Sequence, residues 1–198
     1  MKKIKIQDKH RIGAAASLFL LSVFIIVGYY WVFDGQFGNF SLTFSKYAAR
    51  SLWTTIVFAI TNISIALILL DFVRVAKNYN ALLHIVMYAI VVGLFGMSLC
   101  PDGLFNVGNQ IHWTAFAHNV FAGITFTAMI IASFIALKRN WKTLRRTIPT
   151  SIYIIYSFAF MLTFFFGLKY SVKYVLLWEV LFLLAFYIIA DSIKTHDT

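Results

Sequence analysis

Carboxylates are scarce in this chain, with seven aspartates and glutamates against seventeen lysines and arginines in 198 residues. Charge of either sign is low, 12% of residues, where a soluble domain carries roughly a quarter to keep its surface wet. With two prolines and ten glycines there are few breaks, and no Gly-, Ser- or Pro-rich linker divides the sequence. The single cysteine, Cys100, excludes an internal disulfide framework and any Cys-rich metal site. What is abundant is hydrocarbon: 61% of residues are hydrophobic and 18% aromatic. A water-facing surface cannot be built from that inventory, so the outside of the protein is expected to face lipid.

A helix needs about 20 apolar residues to cross the hydrocarbon of a bilayer. Six apolar stretches approach that length, at 12–33, 51–70, 81–99, 113–137, 148–168 and 174–190, the third, fourth and sixth carrying the ionisable His84, His118 and Glu179. None alternates with a period of two, and helices satisfy their own backbone in lipid. The expected fold is therefore all-α, a polytopic bundle of six transmembrane helices forming one domain over residues 1–198. The first stretch follows a basic start, but its uncharged run is longer than a signal-peptide core and no A-x-A-like site follows it. It is read as a retained helix.

The surplus of positive charge gathers at the ends of the apolar stretches rather than in a groove-sized patch, which argues against nucleic acid as a partner. Lys2, Lys3, Lys5, Lys9, Arg11, Arg74, Lys77, Lys138, Arg139, Lys142, Arg145, Arg146 and Lys194 fall on one side of the expected membrane. Only Lys46, Arg50, Lys169 and Lys173 fall on the other. By the positive-inside rule both termini are cytoplasmic, in a multi-pass protein of the cell membrane. Trp31, Trp53, Trp113 and Trp178 stand near the expected outer ends of their spans, as an interfacial aromatic belt would place them.

The stretch GMSLCPDGLFNVGNQIHWTAFAHNVFAG, residues 96–123, departs from this pattern. It leaves the third span, turns on Pro101, Asp102 and Gly103, and re-enters apolar sequence with His112 and His118. His118 lies five residues into the fourth span, about 8 Å along a helix. Glu179 lies five residues into the sixth. A carboxylate within a span costs on the order of 3 kcal/mol, so Glu179 should face the bundle and be protonated or paired. If spans four and six are neighbours, His118 is its best-placed partner; His112, Tyr170 and Lys173 are alternatives.

Asn119 stands one heptad from His112, so the two share a helix face and can serve one polar head group. His112 and His118 are about 120° apart around a helix and about 9 Å along it, so they cannot grip one ion together. No H-x-x-x-H or H-E-x-x-H spacing is present, and no metal or cofactor is expected. Ala115, His118, Ala122 and Thr125 form a small-residue stripe suited to close helix contact. Asn62, mid-span with Thr61 and Ser64, is expected to hydrogen-bond a neighbouring helix. Tyr153, Tyr156 and Ser157 share a face of span five. The connection from Asp34 to Arg50 is long and rich in phenylalanine, fit to lie in the interface or cap an outward pocket.

The pairing of GMSLCPDG with IHWTAFAHNVFAGITF resembles a hallmark of small six-helix bacterial membrane proteins of unknown function, distantly similar to the eukaryotic DRAM and Frag-type proteins. The matching positions are Pro101, His118, Ala122 and Phe126, with Leu99-Cys100 in place of the phenylalanine usual before the proline. The resemblance implies the six-helix topology and, by analogy of fold, a lipid-related role. It implies no particular reaction.

Three functions fit these residues best; a fourth, a proton-coupled channel or transporter with Glu179 and His118 as titrating groups, has little support in a chain without internal duplication. In the first, a lipid or small amphiphile is bound or moved in an outward-facing pocket lined by Asp102, His112, His118, Asn119 and Glu179. In the second, an intramembrane hydrolase-like enzyme uses His118 and Glu179 as acid and base, although no nucleophile motif accompanies them. In the third, an accessory or assembly subunit of a membrane complex carries these groups for packing alone. A protein partner or homo-oligomer is compatible with all three.

Overall fold

Long uncharged runs close their own backbone hydrogen bonds as helices, and the computed structural model of the chain follows that rule. It describes residues 3–34, 42–75, 81–102, 112–139 and 175–192. The described helices are α1 (Lys3–Asp34), α2 (Phe44–Ala48), α3 (Leu52–Val75), α4 (Ala81–Leu99), α5 (Trp113–Arg139) and α6 (Val175–Ser192), with no strand among the described residues. Four segments within them are long and apolar enough to cross a membrane: Ile12–Phe33, Leu52–Arg74, Ala81–Leu99 and Trp113–Ala136. The stretch 148–168, with Tyr153, Tyr156 and Ser157, lies outside the described residues, as do Tyr170 and Lys173.

Two helices run past the expected ends. α1 begins at Lys3 and α3 continues through Asp71 to Val75. Charge ends an apolar run but does not stop a helix, whose backbone bonds are indifferent to a side chain that faces outward; Asp71 and Arg74 are both exposed.

The long helices close a ring. α1 packs on α3, α3 on α4, α4 on α5, α5 on α6, and α6 returns to α1. The short α2 packs between α1 and α3 at one end. Inward side chains form one continuous core, including Ile26, Ile65, Leu69, Phe72, Met87, Ile90, Met129, Phe182 and Phe186. Outward side chains are just as apolar: Phe24 is 79% exposed, Phe116 70% and Ile60 61%. So many exposed large apolar side chains among the described residues are foreign to water-soluble monomers and suit a hydrocarbon solvent.

The tightest contact is between α4 and α5. A Cβ on Gly93 would collide with Thr125 Oγ1 and stand 3.0 Å from the Phe121 carbonyl, and one on Gly96 would overlap the Phe121 ring. These two glycines let α4 sit against the face of α5 carrying Ala115, His118, Ala122 and Thr125, all four of them buried. The small-residue stripe of α5 thus meets its complement on α4.

Candidate functional site

The ring leaves space between its described helices. Inside it lies a cavity of about 420 Å³, lined from every long helix and from α2. Along α5 the lining runs from His118 to Met129, about 16 Å at 1.5 Å per residue. Its polar groups gather at the α2 end, where Thr43, Ser45, Lys46, His118, Asn119 and Glu179 converge. Further along, Ile65, Ala122, Phe126, Leu183 and Met129 make a mainly apolar shaft that also carries Asn62 and Thr125, with Tyr187 towards its far end; Phe58 stays at the α2 end, its ring 5.4 Å from Phe44 and 6.1 Å from His118. The shape matches a small-molecule site: mostly apolar, with a few polar groups to orient an occupant.

α2 forms part of the cavity wall and is held at both of its ends. Its N-cap Thr43 accepts from Lys46 N–H at 3.4 Å. The Phe44 N–H donates to Glu179 Oε2 at 2.7 Å, reaching across to α6. At the other end the Ala48 carbonyl accepts from Thr54 Oγ1 at 2.6 Å and from Thr55 Oγ1 at 3.0 Å. Tyr47 is wholly buried, edge-on to Tyr30 with centroids 4.9 Å apart. Burial pushes its hydroxyl pKa above the usual range. Ser45 Oγ donates to Asp102 Oδ2 at 3.3 Å, joining α2 to the turn that follows α4.

α5 and α6 are neighbours, as the pairing of His118 with Glu179 requires; Phe126 and Phe182 meet edge-on between them at 5.9 Å. Both side chains are buried and both line the cavity. They do not hydrogen-bond each other. Glu179 takes the Phe44 N–H, while His118 Nδ1 pairs with the Cys100 carbonyl at 2.7 Å. Each therefore serves a helix terminus: the first N–H of α2 and a carbonyl just beyond the end of α4. Such groups have no partner within their own helix, and leaving one buried and unpaired is costly. That demand outcompetes a direct imidazole–carboxylate pair.

The contact also defines the histidine. A carbonyl only accepts, so Nδ1 carries the proton and, in the neutral ring, Nε2 holds the lone pair. Nε2 is the ring nitrogen not engaged by Cys100.

Asp102 and His112 do not line the cavity. Asp102 stands behind it, bonded to Ser45 and within electrostatic range of both His118 and Glu179. His112 precedes the first turn of α5 and caps it. Its Nδ1 accepts from Thr114 N–H at 3.4 Å and lies 3.0 Å from Thr114 Oγ1, with the ring beside Trp113. Because His112 is outside the helix, the shared heptad face with Asn119 does not exist; Asn119 alone is at the cavity. No group of three His, Cys, Asp or Glu side chains is placed to hold a metal ion among the described residues.

Asn62 is the residue whose role differs most from expectation. It is 7% exposed and lines the cavity, and its Nδ2 has no hydrogen-bond partner among the described residues. A lone amide in the middle of an apolar run was the available signal, but it pointed equally to a neighbouring helix. No protein-family model matches the chain, and neither a curated protein nor a solved structure does.

Proposed function

We propose that this chain is a multi-pass protein of the cell membrane that binds or moves a lipid or small amphiphile in the cavity within its helix ring. In this reading residues 148–168 and α6 add two spans to the four apolar segments. Both termini are cytoplasmic, and the α2 end lies beneath the outer leaflet. The bias of thirteen lysines and arginines against four supports the orientation. The resemblance of residues 96–123 to six-helix bacterial membrane proteins accords with a lipid-related role.

One observation carries the proposal: a cavity with most of its polar groups at the α2 end and a mainly apolar shaft beyond them, the two halves of an amphiphile in order. Lys46, exposed at the mouth, and Nε2 of His118 suit a polar or anionic head. Phe126, Leu183 and Met129 suit a chain. Protein partners and self-association are left open by this reading.

The test fills the shaft. Ala122 is buried and lines the cavity, so Ala122→Phe projects a ring into the space that the chain would occupy. Native mass spectrometry of wild-type protein released from micelles with lysophosphatidylglycerol should show a bound adduct, and Ala122→Phe should lose it while still eluting as a folded, monodisperse species. Equal adducts in both proteins would refute the cavity as the site. A hydrolase reading is favoured by one feature, the fixed tautomer of His118 with its basic nitrogen free of the Cys100 contact. Recovery of the lysolipid intact supports binding, whereas release of its acyl chain supports hydrolysis.

A further inference from the structure

Resting on the amphiphile reading, the contacts of α2 point to the way in. This short helix stands on the boundary between cavity and exterior. Phe44 is 3% exposed, with its ring 5.6 Å from Phe19 and 5.4 Å from Phe58, and all three line the cavity. Lys46, two residues on, lines it too and is exposed.

The two ends of α2 are held in different ways. At the C-terminal end, Thr54 and Thr55 grip the Ala48 carbonyl from only six and seven residues along the chain. The Arg50 N–H donates to the Tyr47 carbonyl at 3.3 Å, and Tyr47 is buried beside Tyr30. These partners are mostly the chain's own continuation into α3, so they make a pivot. At the N-terminal end both partners come from far away in sequence. Phe44 N–H meets Glu179 of α6 across 135 residues, and Ser45 Oγ meets Asp102 after α4 across 57. Water can take the place of either acceptor once the two sides part, so each bond resists opening by its small net worth alone.

We infer that α2 is a hinged lid, which pivots about residues 48–51 and parts from Glu179 and Asp102 to admit the amphiphile. The two carboxyl groups are its latch. Glu179 belongs to the cavity lining as well, so the latch sits where the head group arrives.

The experiment bridges the latch in full-length Ser45→Cys/Asp102→Cys protein on a Cys100→Ala background, using a short, reducible bis-methanethiosulfonate. His118 contacts Cys100 through its backbone carbonyl, which alanine keeps. The probe is lysophosphatidylglycerol, followed by native mass spectrometry. Protein bridged before the probe is added should take it up roughly tenfold more slowly than unbridged protein, an added barrier of one such factor. Protein bridged after loading should exchange its adduct for deuterated probe more slowly to the same degree, and reduction should restore both rates. Ser45→Ala needs no bridge: it removes one latch bond and should exchange about two- to tenfold faster than wild type, the worth of one net hydrogen bond. Uptake and exchange indifferent to the bridge would overturn the lid while sparing the amphiphile reading, since the occupant would then enter between helices. Exchange in Ser45→Ala no faster than in wild type would overturn Asp102 as part of the latch. Absence of any adduct on unbridged wild type would overturn the amphiphile reading and the lid together.

Discussion

Glu179 shows how a buried polar side chain is claimed by the backbone. Its carboxyl group is the acceptor for the first N–H of α2, at 2.7 Å, in a buried position. What that N–H needs is an oxygen, which glutamine also supplies. Glu179→Gln should therefore retain most of the wild-type stability in detergent. Glu179→Ala should lose about 1–3 kcal/mol, the cost of a buried donor left unsatisfied. Thermal melting of the two variants decides between roles: equal destabilisation by Gln and Ala would mean that charge, rather than hydrogen bonding, is what α2 requires. His118 is the counterpart at the end of α4. Its Nδ1 serves Cys100, which holds the ring in one tautomer at the cavity wall.

At the scale of elements, the α4–α5 contact is the most sensitive packing in the ring. Gly93 has no room for a side chain, because Thr125 and the Phe121 carbonyl occupy the space a Cβ would take. The ring shape depends on that approach, since α5 carries more of the described cavity lining than any other helix. Gly93→Leu should destabilise the protein by about 1–3 kcal/mol through overpacking, read as a fall in melting temperature. The same change at Gly13, which has open space around its Cβ position, should be close to neutral. Comparable losses at both positions would show that general chain stiffness, and not helix approach, governs the effect.

For the whole molecule, the decisive property is an apolar exterior combined with a basic bias of its connections. The proposed orientation is testable in cells on a Cys100→Ala background, which removes the one native thiol. An impermeant maleimide should label Gly38→Cys in intact cells and Thr198→Cys only after lysis. Labelling of Thr198→Cys from outside would invert the topology and move the cavity mouth to the cytoplasmic leaflet. The ring as a whole also explains how a cavity survives in a protein so hydrophobic. Among the described residues, five long helices joined edge to edge leave an axial space that their side chains only partly fill, and α2 lines one end of it.

The position of each described long helix was legible in the sequence, because helix formation in an uncharged run is a local matter of length and backbone satisfaction. Expected and observed starts agree within a few residues for α3 to α6, and the basic N-terminus that lengthens α1 adds charge without breaking the helix. The direction α3 faces was not legible, whereas the small-residue stripe of α5 and Glu179 of α6 marked their inward faces. α3 is apolar on its exposed side at Ile60 and on its buried side at Ile65 alike, so no hydrophobic stripe marks the interior. Tertiary structure alone decided that Asn62 borders a cavity, that His112 caps a helix, and that His118 and Glu179 turn to backbone groups of α4 and α2. The physical reason is that an orphaned peptide group at a buried helix end is invisible in sequence, and it becomes the strongest claimant on a polar side chain only once the helices have docked.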